Sequence, residues 1–345
     1  MDKSLCRIIE KLSDVPDGHC LDIRHSLNIC EKNSAADKQT ADGQKAAIYM
    51  IDDTAVPKNA RLRTETYELY PGIELSFHCY LASKFHIRHS HSASVLSVDH
   101  CRAGRIGWEM KDGLSLYFGS GDLSFHFTDK CADSEITLPL GYYEGLTVSM
   151  DLSILNKKMP ELLEDADIDM KELCYKFCGK KETAALPANS RIEHIFSEVY
   201  DLPEQMKRPY LKLKCQELLL FLNMAEPAKE KALYPHYSDQ VEIIREIHDR
   251  MTGHPECRYT IDELAREYLI NTATLKNIFK SVYGMPVASY MKQYRITKAA
   301  CMLRESDLSI AAIARAVGYE SQSKFSAAFK DIMKILPTDY RRQYT

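Results

Sequence analysis

Apolar positions change their period along this chain, and the changes divide it. Between about 60 and 151, apolar and polar residues alternate in short runs rich in aromatic and branched side chains. These runs are "GIELSFHCYL" (72–81), "SVLSVDHC" (94–101), "RIGWEM" (105–110), "LSLYFG" (114–119) and "DLSFHF" (122–127). A period of two predicts half-buried strands. Turn residues such as Lys111-Asp112-Gly113 and Gly119-Ser120-Gly121-Asp122 separate them. Short strands spaced about ten residues apart predict an antiparallel β barrel or sandwich.

From 152 to 225 the period becomes helical. In "YLKLKCQELLLFL" (210–222), Leu211, Cys215, Leu218, Leu219 and Leu222 form one stripe, while Leu213 and Leu220 form a second. A helix apolar on two sides needs two partners, and another copy of the chain is a candidate for one of them. Residues 31–46, "EKNSAADKQTADGQKA", read as a flexible connector, and 226–240, "EPAKEKALYPHYSDQ", as a linker. The segment 5–30 has no assignable pattern. Residues 241–345 are helical throughout. The fold class expected is α+β multidomain, in four parts: an N-terminal segment and connector (1–59), a barrel with helices (60–225), the linker, and an all-α domain (241–345).

The last part contains a repeat. "FKSVYGMPVASY" (279–290) lies 50 residues before "FKDIMKILPTDY" (329–340), and Ile261, Leu264 and Ala265 recur 49 residues on as Ile310, Ile313 and Ala314. Each copy has the layout of a helix-turn-helix. A small residue, Ala265 or Ala314, stands where two helices cross closely. A turn follows, "LIN" (269–271) or "GYE" (318–320), and Gly318 suits a left-handed backbone. The next helix begins with polar residues and buries Leu275 and Phe279, or Phe325 and Phe329. Residues 287–305 read as one continuous linking helix. A polar string such as "SQSK" (321–324) at an exposed helix start can reach base edges in a major groove about 12 Å wide. The competing reading is a plain helical bundle whose polar residues face water.

Charge favours the first reading. Residues 241–345 carry 16 Lys and Arg against 12 Asp and Glu, and from 271 onward the counts are 12 against 5, in a chain whose net charge is −4. A basic module on an acidic body is the footprint of a polyanion-binding part.

Residues 259–342 resemble the DNA-binding domain of AraC/XylS-type transcription regulators. The resemblance rests on Phe279-Lys280 with Gly284 and Tyr290, on Arg295, Lys298, Ala299, Met302 and Leu303 in the linking helix, and on the run from Ile310-Ala311 through Val317-Gly318-Tyr319, Phe325, Phe329-Lys330 and Pro337 to Tyr340-Arg341. It implies base contacts from Ala273, Lys276 and Asn277 in the first unit, and from Gln322, Ser323, Lys324 and Ala327 in the second. Thr272, Lys280, Ser321, Ser326 and Lys330 would hold the DNA backbone. Lys334 stands where the family usually has glycine and Leu336 where it usually has threonine, which predicts a distorted turn before Pro337. The resemblance also implies a cupin-like effector domain and a dimerisation element ahead of the DNA-binding domain. Double-stranded DNA, a small-molecule effector, a second copy of the chain and RNA polymerase are the partners expected.

The N-terminal part offers fewer signals. Trp108 beside Arg102 and Arg105 supplies aromatic and basic groups for an anionic or aromatic effector at a barrel mouth, with a plain core tryptophan as the alternative. "HIRHSHS" (His86, His89, His91) has metal-like spacing, but the downstream glutamate of a cupin metal site is missing, so surface histidines are expected. Cys174 and Cys178 read as buried thiols rather than a zinc or redox pair. No cofactor, metal or catalytic residue is expected, because no Ser/His/Asp set or glycine-rich phosphate loop occurs. Eleven scattered cysteines, no signal-peptide core and no apolar run of membrane-spanning length predict a cytoplasmic protein. The function expected is a sequence-specific, effector-controlled transcription regulator. The rivals are a constitutive DNA-binding protein with a dimerisation-only N-terminal domain, and a cupin-like metalloenzyme fused to a DNA-binding part.

Overall fold

The computed structural model describes residues 3–26, 49–51, 56–89, 95–109, 113–127, 134–157, 159–166, 168–178, 183–226, 233 and 235–344. They form two compact units, Asp2–Pro235 and His236–Thr345.

The strands of the first unit are β1 (His19–His25), β2 (Tyr49–Ile51), β3 (Arg61–Tyr70), β4 (Ile73–Leu81), β5 (Lys84–His89), β6 (Val95–Glu109), β7 (Leu114–Gly119), β8 (Leu123–Phe127), β9 (Ser134–Thr137), β10 (Tyr142–Asp151) and β11 (Thr183–Leu186). Its helices are α1 (Lys3–Lys11), α2 (Leu152–Leu155), α3 (Met170–Cys178), α4 (Ser190–Phe196) and α5 (Glu204–Met224). One layer runs β1-β3-β4-β10-β6-β8-β11, antiparallel except for the parallel β1–β3 pair. The other joins β2, β5, β9, β6 and β7. Strand β6 belongs to both, so the sheet curls around a shared interior.

The sequence pattern predicts two strands, 94–101 and 105–110, where β6 runs unbroken. The structure bends there instead of reversing. Opposite β10, the register moves from Cys101↔Gly145 to Ala103↔Glu144, which leaves Arg102 as the extra residue of a β-bulge. Gly104 follows at φ +83°, and a Cβ there would lie 2.2 Å from the Tyr142 carbonyl oxygen. Only glycine allows the two backbones to approach that closely.

Leu62, Tyr80, Phe85, Ile106, Phe118 and Tyr143 pack between the layers. On the outer face of the larger layer, Leu75, Val98, Phe125 and Leu146 meet Leu211, Cys215, Leu218, Leu219 and Leu222 of α5, the first predicted stripe. Leu213 and Leu220, the second stripe, are 59% and 39% exposed. Helix α1 and the turn after it cover the adjoining area through Ile8 and Leu12. The segment 5–30, which carries no pattern of its own, thus supplies α1 and β1. Its order comes from pairing with β3, far along the chain. The connector 31–46 lies outside the described residues, as do 227–232 and 234 of the linker 226–240, whose last three residues open the first helix of the second unit.

The second unit consists of α6 (Ser238–Gly253), α7 (Ile261–Glu267), α8 (Thr272–Tyr283), α9 (Val287–Glu305), α10 (Ile310–Ala316), α11 (Gln322–Met333) and α12 (Pro337–Tyr344). Ile296, Ala300 and Leu303 of α9 share a core with Ile313, Ala314, Phe325, Phe329 and Tyr340. Around His248 of α6, an aromatic set ties α6 to α8 and α9. The imidazole stacks on Tyr283 with centroids 4.3 Å apart, and its Nε2 lies 2.8 Å from the Tyr290 hydroxyl.

Candidate nucleic-acid interface

Each repeat is a helix pair, α7 with α8 and α10 with α11, and the two turns share one geometry. The Ile270 N–H donates to the Ala265 carbonyl (3.0 Å), and the Tyr319 N–H donates to the Ala314 carbonyl (2.9 Å). In both, the residue before the donor is left-handed: Leu269 at φ 52° and Gly318 at φ 82°. This is the Schellman closure of a helix C-terminus. Ala265 and Ala314 are buried, so the small side chains stand at the crossing as the pattern implies.

Side-chain caps then start the second helix of each pair. The Asn271 carboxamide accepts from the Ala273 N–H (2.8 Å), and the Ser321 hydroxyl accepts from the Lys324 N–H (3.2 Å). Helix α7 opens on a capping box of Thr260 and Glu263. Capping fixes where each helix begins, and so which residues occupy its first exposed turns.

Helix α8 buries Leu275, Ile278, Phe279, Val282 and Tyr283 and exposes Ala273, Lys276, Asn277 and Lys280. Those four recur at intervals of three and four residues, one face of a helix. Helix α11 buries Phe325 and Phe329 and exposes Gln322, Ser323, Lys324, Ala327 and Lys330. Ser321 is exposed; Thr272 and Ser326 are half-buried. Every residue singled out for DNA therefore lies on α8, on α11 or at the cap of α11. None is buried. The exposed groups comprise two lysines on each helix, the Asn277 and Gln322 amides and serine hydroxyls. This set can donate to and accept from base edges and phosphates.

The distortion predicted before Pro337 is absent. Lys334 takes the left-handed position at φ 62°, its N–H donating to the Lys330 carbonyl, just as Gly284 at φ 81° caps α8 through Lys280. The Tyr340 N–H donates to the Leu336 carbonyl (2.9 Å) as Tyr290 does to Pro286 (3.0 Å). Lysine accepts the strain that glycine avoids, and its Nζ donates to the Asp331 carbonyl (2.6 Å).

One charged group at this surface has no signature in the linear sequence. Glu320 lies 3.4 Å from the Lys324 ammonium and 3.3 Å from Arg258, whose position just before α7 is 62 residues away along the chain. All three side chains are more than 60% exposed, so solvent screens the cluster.

In the first unit, Arg102, Arg105 and Trp108 do not converge. Arg105 and Trp108 stand three residues apart, on opposite faces of a regularly paired stretch of β6, and Arg102 is the bulged residue. The Arg102 guanidinium binds Asp201, lies 3.4 Å from Glu144 and stands over the Tyr200 ring at 4.8 Å. Arg105 is folded against Gly119, and burial lowers its pKa against the opposing pull of Asp122. Only Trp108 borders the interior cavity, together with His78, Asp99, His126 and Thr147. That cavity measures about 20 Å³, room for roughly one water.

A larger cleft of about 310 Å³ lies outside the interior, lined in part by Lys11, Arg63, Phe77, Tyr200 and Lys207. His86 stands on β5 with its Nε2 3.6 Å from Glu135. His91 and the side chains of His89, Cys174 and Cys178 lie outside the described residues. Among the described residues, no three His, Cys, Asp or Glu side chains gather as metal ligands would, and no helix is long and apolar enough to cross a membrane.

Residues 264–343 match a family profile described as a helix-turn-helix domain. The HTH-type transcriptional activator AarP of Providencia stuartii is 31% identical over 106 residues, 31% of this chain and 78% of that protein. An AraC-like transcription regulator of Streptomyces lividans is 37% identical over 91 residues, 26% of this chain; the match spans 30% of that relative's length. The crystal structure of unsaturated-fatty-acid-bound ToxT from Vibrio cholerae aligns with 81% of this chain and 98% of its own, at 15% identity and a TM-score of 0.34.

Proposed function

This chain belongs to the AraC/XylS-type transcription regulators, and from that premise we propose that it binds double-stranded DNA through α8 and α11 in adjacent segments of the major groove. The observation that carries this reading is the matched exposure of the two helix starts. In each repeat a cap fixes the first turn, and lysine and amide side chains stand outward from a fully apolar underside. Successive major-groove segments on one face lie about 34 Å apart, a spacing that two such modules on one linking helix can address.

Ala273, Lys276, Asn277, Gln322, Ser323, Lys324 and Ala327 face the bases in this reading. The Asn277 and Gln322 amides suit adenine, and the lysines suit guanine or phosphate. Thr272, Lys280, Ser321, Ser326 and Lys330 fix register on the backbone. Selection of bound sequences from random DNA, followed by footprinting, tests the proposal. Protection of two adjacent groove segments is expected. Lys276→Ala and Gln322→Ala should each weaken the selected duplex by about 1–3 kcal/mol. Protection of a single segment, or unchanged discrimination in both variants, refutes the assignment.

The first unit serves in this reading as effector and dimerisation domain. A volume of about 310 Å³ makes the outer cleft, rather than the cavity beside Trp108, the better effector site. Its Phe77 and Tyr200 rings, beside Lys11, Arg63 and Lys207 and the carboxylates of Glu65, Glu144 and Asp201, suit an aromatic ligand carrying polar groups. A metabolite screen by thermal shift tests this, with Lys207→Ala expected to abolish any shift. The exposed stripe of α5 supports a homodimer. A regulator seated at a promoter also meets RNA polymerase there.

A further inference from the structure

We propose that residues 254–259 form a second tie between the two helix-turn-helix modules, and that Arg295 and Gly318 are positioning residues setting the spacing at which DNA is read. The inference rests on the two-groove reading above and concerns what holds the two readers at a fixed angle.

Helix α9 joins the modules covalently, and a single helix can bend or twist along its length. Residues 254–259 add an independent connection. They follow α6 and lead into Thr260, the cap of α7, so they belong to the first module by chain. Their carbonyls are nevertheless held elsewhere. From α9, the Arg295 Nε donates to the Pro255 carbonyl (2.8 Å) and its Nη2 to the Cys257 carbonyl (2.7 Å). The flat guanidinium fork matches two acceptors on one loop, which a lysine cannot do. On the same helix, the Tyr294 hydroxyl donates to the Thr252 carbonyl (3.0 Å).

The loop then lies directly over the turn of the second module. A Cβ on Gly318 would stand 2.6 Å from the Pro255 carbonyl oxygen, 3.1 Å from that of Glu256 and 3.2 Å from the Arg295 guanidinium carbon. Two of these contacts are with backbone, which cannot swing aside. The sequence repeat sharpens the point. Leu269 occupies the matching left-handed position of the first module and is 93% exposed. Left-handed geometry alone therefore does not demand glycine in this turn. Gly318 differs from Leu269 because something packs on it, namely the loop of the other module. Arg258 and Glu320, 3.3 Å apart, cross the same seam.

The test uses the full chain and the duplex recovered by selection, together with duplexes carrying one base pair inserted or removed between the two protected segments. One base pair moves the second segment by about 3.4 Å and turns it by about 34°. The wild type should lose about tenfold or more in affinity on either change. Arg295→Ala should bind the original duplex more weakly, yet its penalty for the altered spacing should shrink to about threefold or less, since a loosened pair of readers follows the shifted site. Gly318→Ala should behave alike, and Arg295→Lys, able to hold one carbonyl, should fall between.

Hydrogen exchange without DNA gives a second readout. In Arg295→Ala, amides of 254–259 and of 318–321 should exchange faster together, at an unchanged circular dichroism spectrum. An Arg295→Ala protein that binds more weakly but keeps the full wild-type spacing penalty overturns the tie, as does unaltered exchange in 318–321. A wild type indifferent to spacing overturns the two-groove reading itself, a distinguishable result.

Discussion

Leu269 pays for its place in the first turn with a backbone conformation that costs a side chain about 1 kcal/mol or more. Its side chain is 93% exposed and meets no core. Replacing Leu269 with glycine should therefore raise the stability of the second unit by about 0.5–1 kcal/mol, the relief of strain exceeding the added freedom of the unfolded chain. Chemical denaturation followed by circular dichroism measures it; a lower midpoint in the variant would show that the leucine makes a stabilising contact. The exposure of the residues proposed to meet DNA was legible because helical spacing and the repeat place them on the face opposite the buried Leu275, Phe279, Phe325 and Phe329; their roles came from the resemblance alone. Arg295 was legible only as a member of a motif. Its bonds to Pro255 and Cys257 connect residues 40 and 38 positions apart, which no periodicity records. Arg102, Arg105 and Trp108 were grouped by nearness in sequence, and a spacing of three on a strand of period two sets Arg105 and Trp108 on opposite faces, while Arg102 is the bulged residue.

Helix α5 carries the clearest consequence of an element read correctly. Leu211, Leu218 and Leu222 bury against the sheet, while Met206, Leu213, Leu220 and Met224 remain exposed at intervals of seven or four residues. That spacing suits a helix-to-helix seam between two copies. Leu213→Glu with Leu220→Glu should shift the chain from dimer to monomer at micromolar concentration, weakening association by roughly tenfold or more, with the fold intact because neither side chain is buried. Sedimentation velocity decides the matter: a wild type that is monomeric, or a double variant that remains dimeric, removes α5 from the interface. Elements with a strong local period were the legible ones, α5, α8 and α11 among them. Strands β1, β2 and β11, outside the stretch read as β, were not, because each is ordered by a distant partner: β1 by β3, β2 by β5, and β11 by β8; within that stretch β3, β5, β9 and β10 were not singled out either. Splitting β6 into two strands had another cause: its bulge and glycine interrupt the apolar pattern, while pairing with β10 carries the strand through to Gly104 and pairing with β7 takes it on.

At the scale of the whole molecule, the two halves answer to different solution variables. Residues 241–345 hold the excess of positive charge, and phosphate neutralisation makes affinity fall steeply with salt. With roughly six to ten phosphate contacts, the loss between 50 and 200 mM should reach about 10³–10⁵-fold, and a flat response in a binding titration would contradict the proposed interface. The first unit should respond to acid instead. Burial holds the His78 imidazole down to about 4, against a weaker upward pull from Asp99, and burial with the nearby Arg102 charge holds His100 down to about 3. In the unfolded chain both titrate near 6.5. Between pH 6.5 and 4 the unfolded state therefore takes up protons that the folded state refuses, so stability falls as pH falls. From pH 7 to pH 5 the two groups together should cost on the order of 3 kcal/mol. The chain has a single tryptophan, Trp108, packed beside His126 in the unit concerned, so its fluorescence reports this unfolding alone. Urea midpoints should drop between those pH values and recover in part when His78, hydrogen-bonded to Tyr80 and Thr147, is replaced by glutamine. Equal midpoints at pH 7 and pH 5 would mean that these imidazoles take up protons in place, and that the interior is wetter than its packing implies.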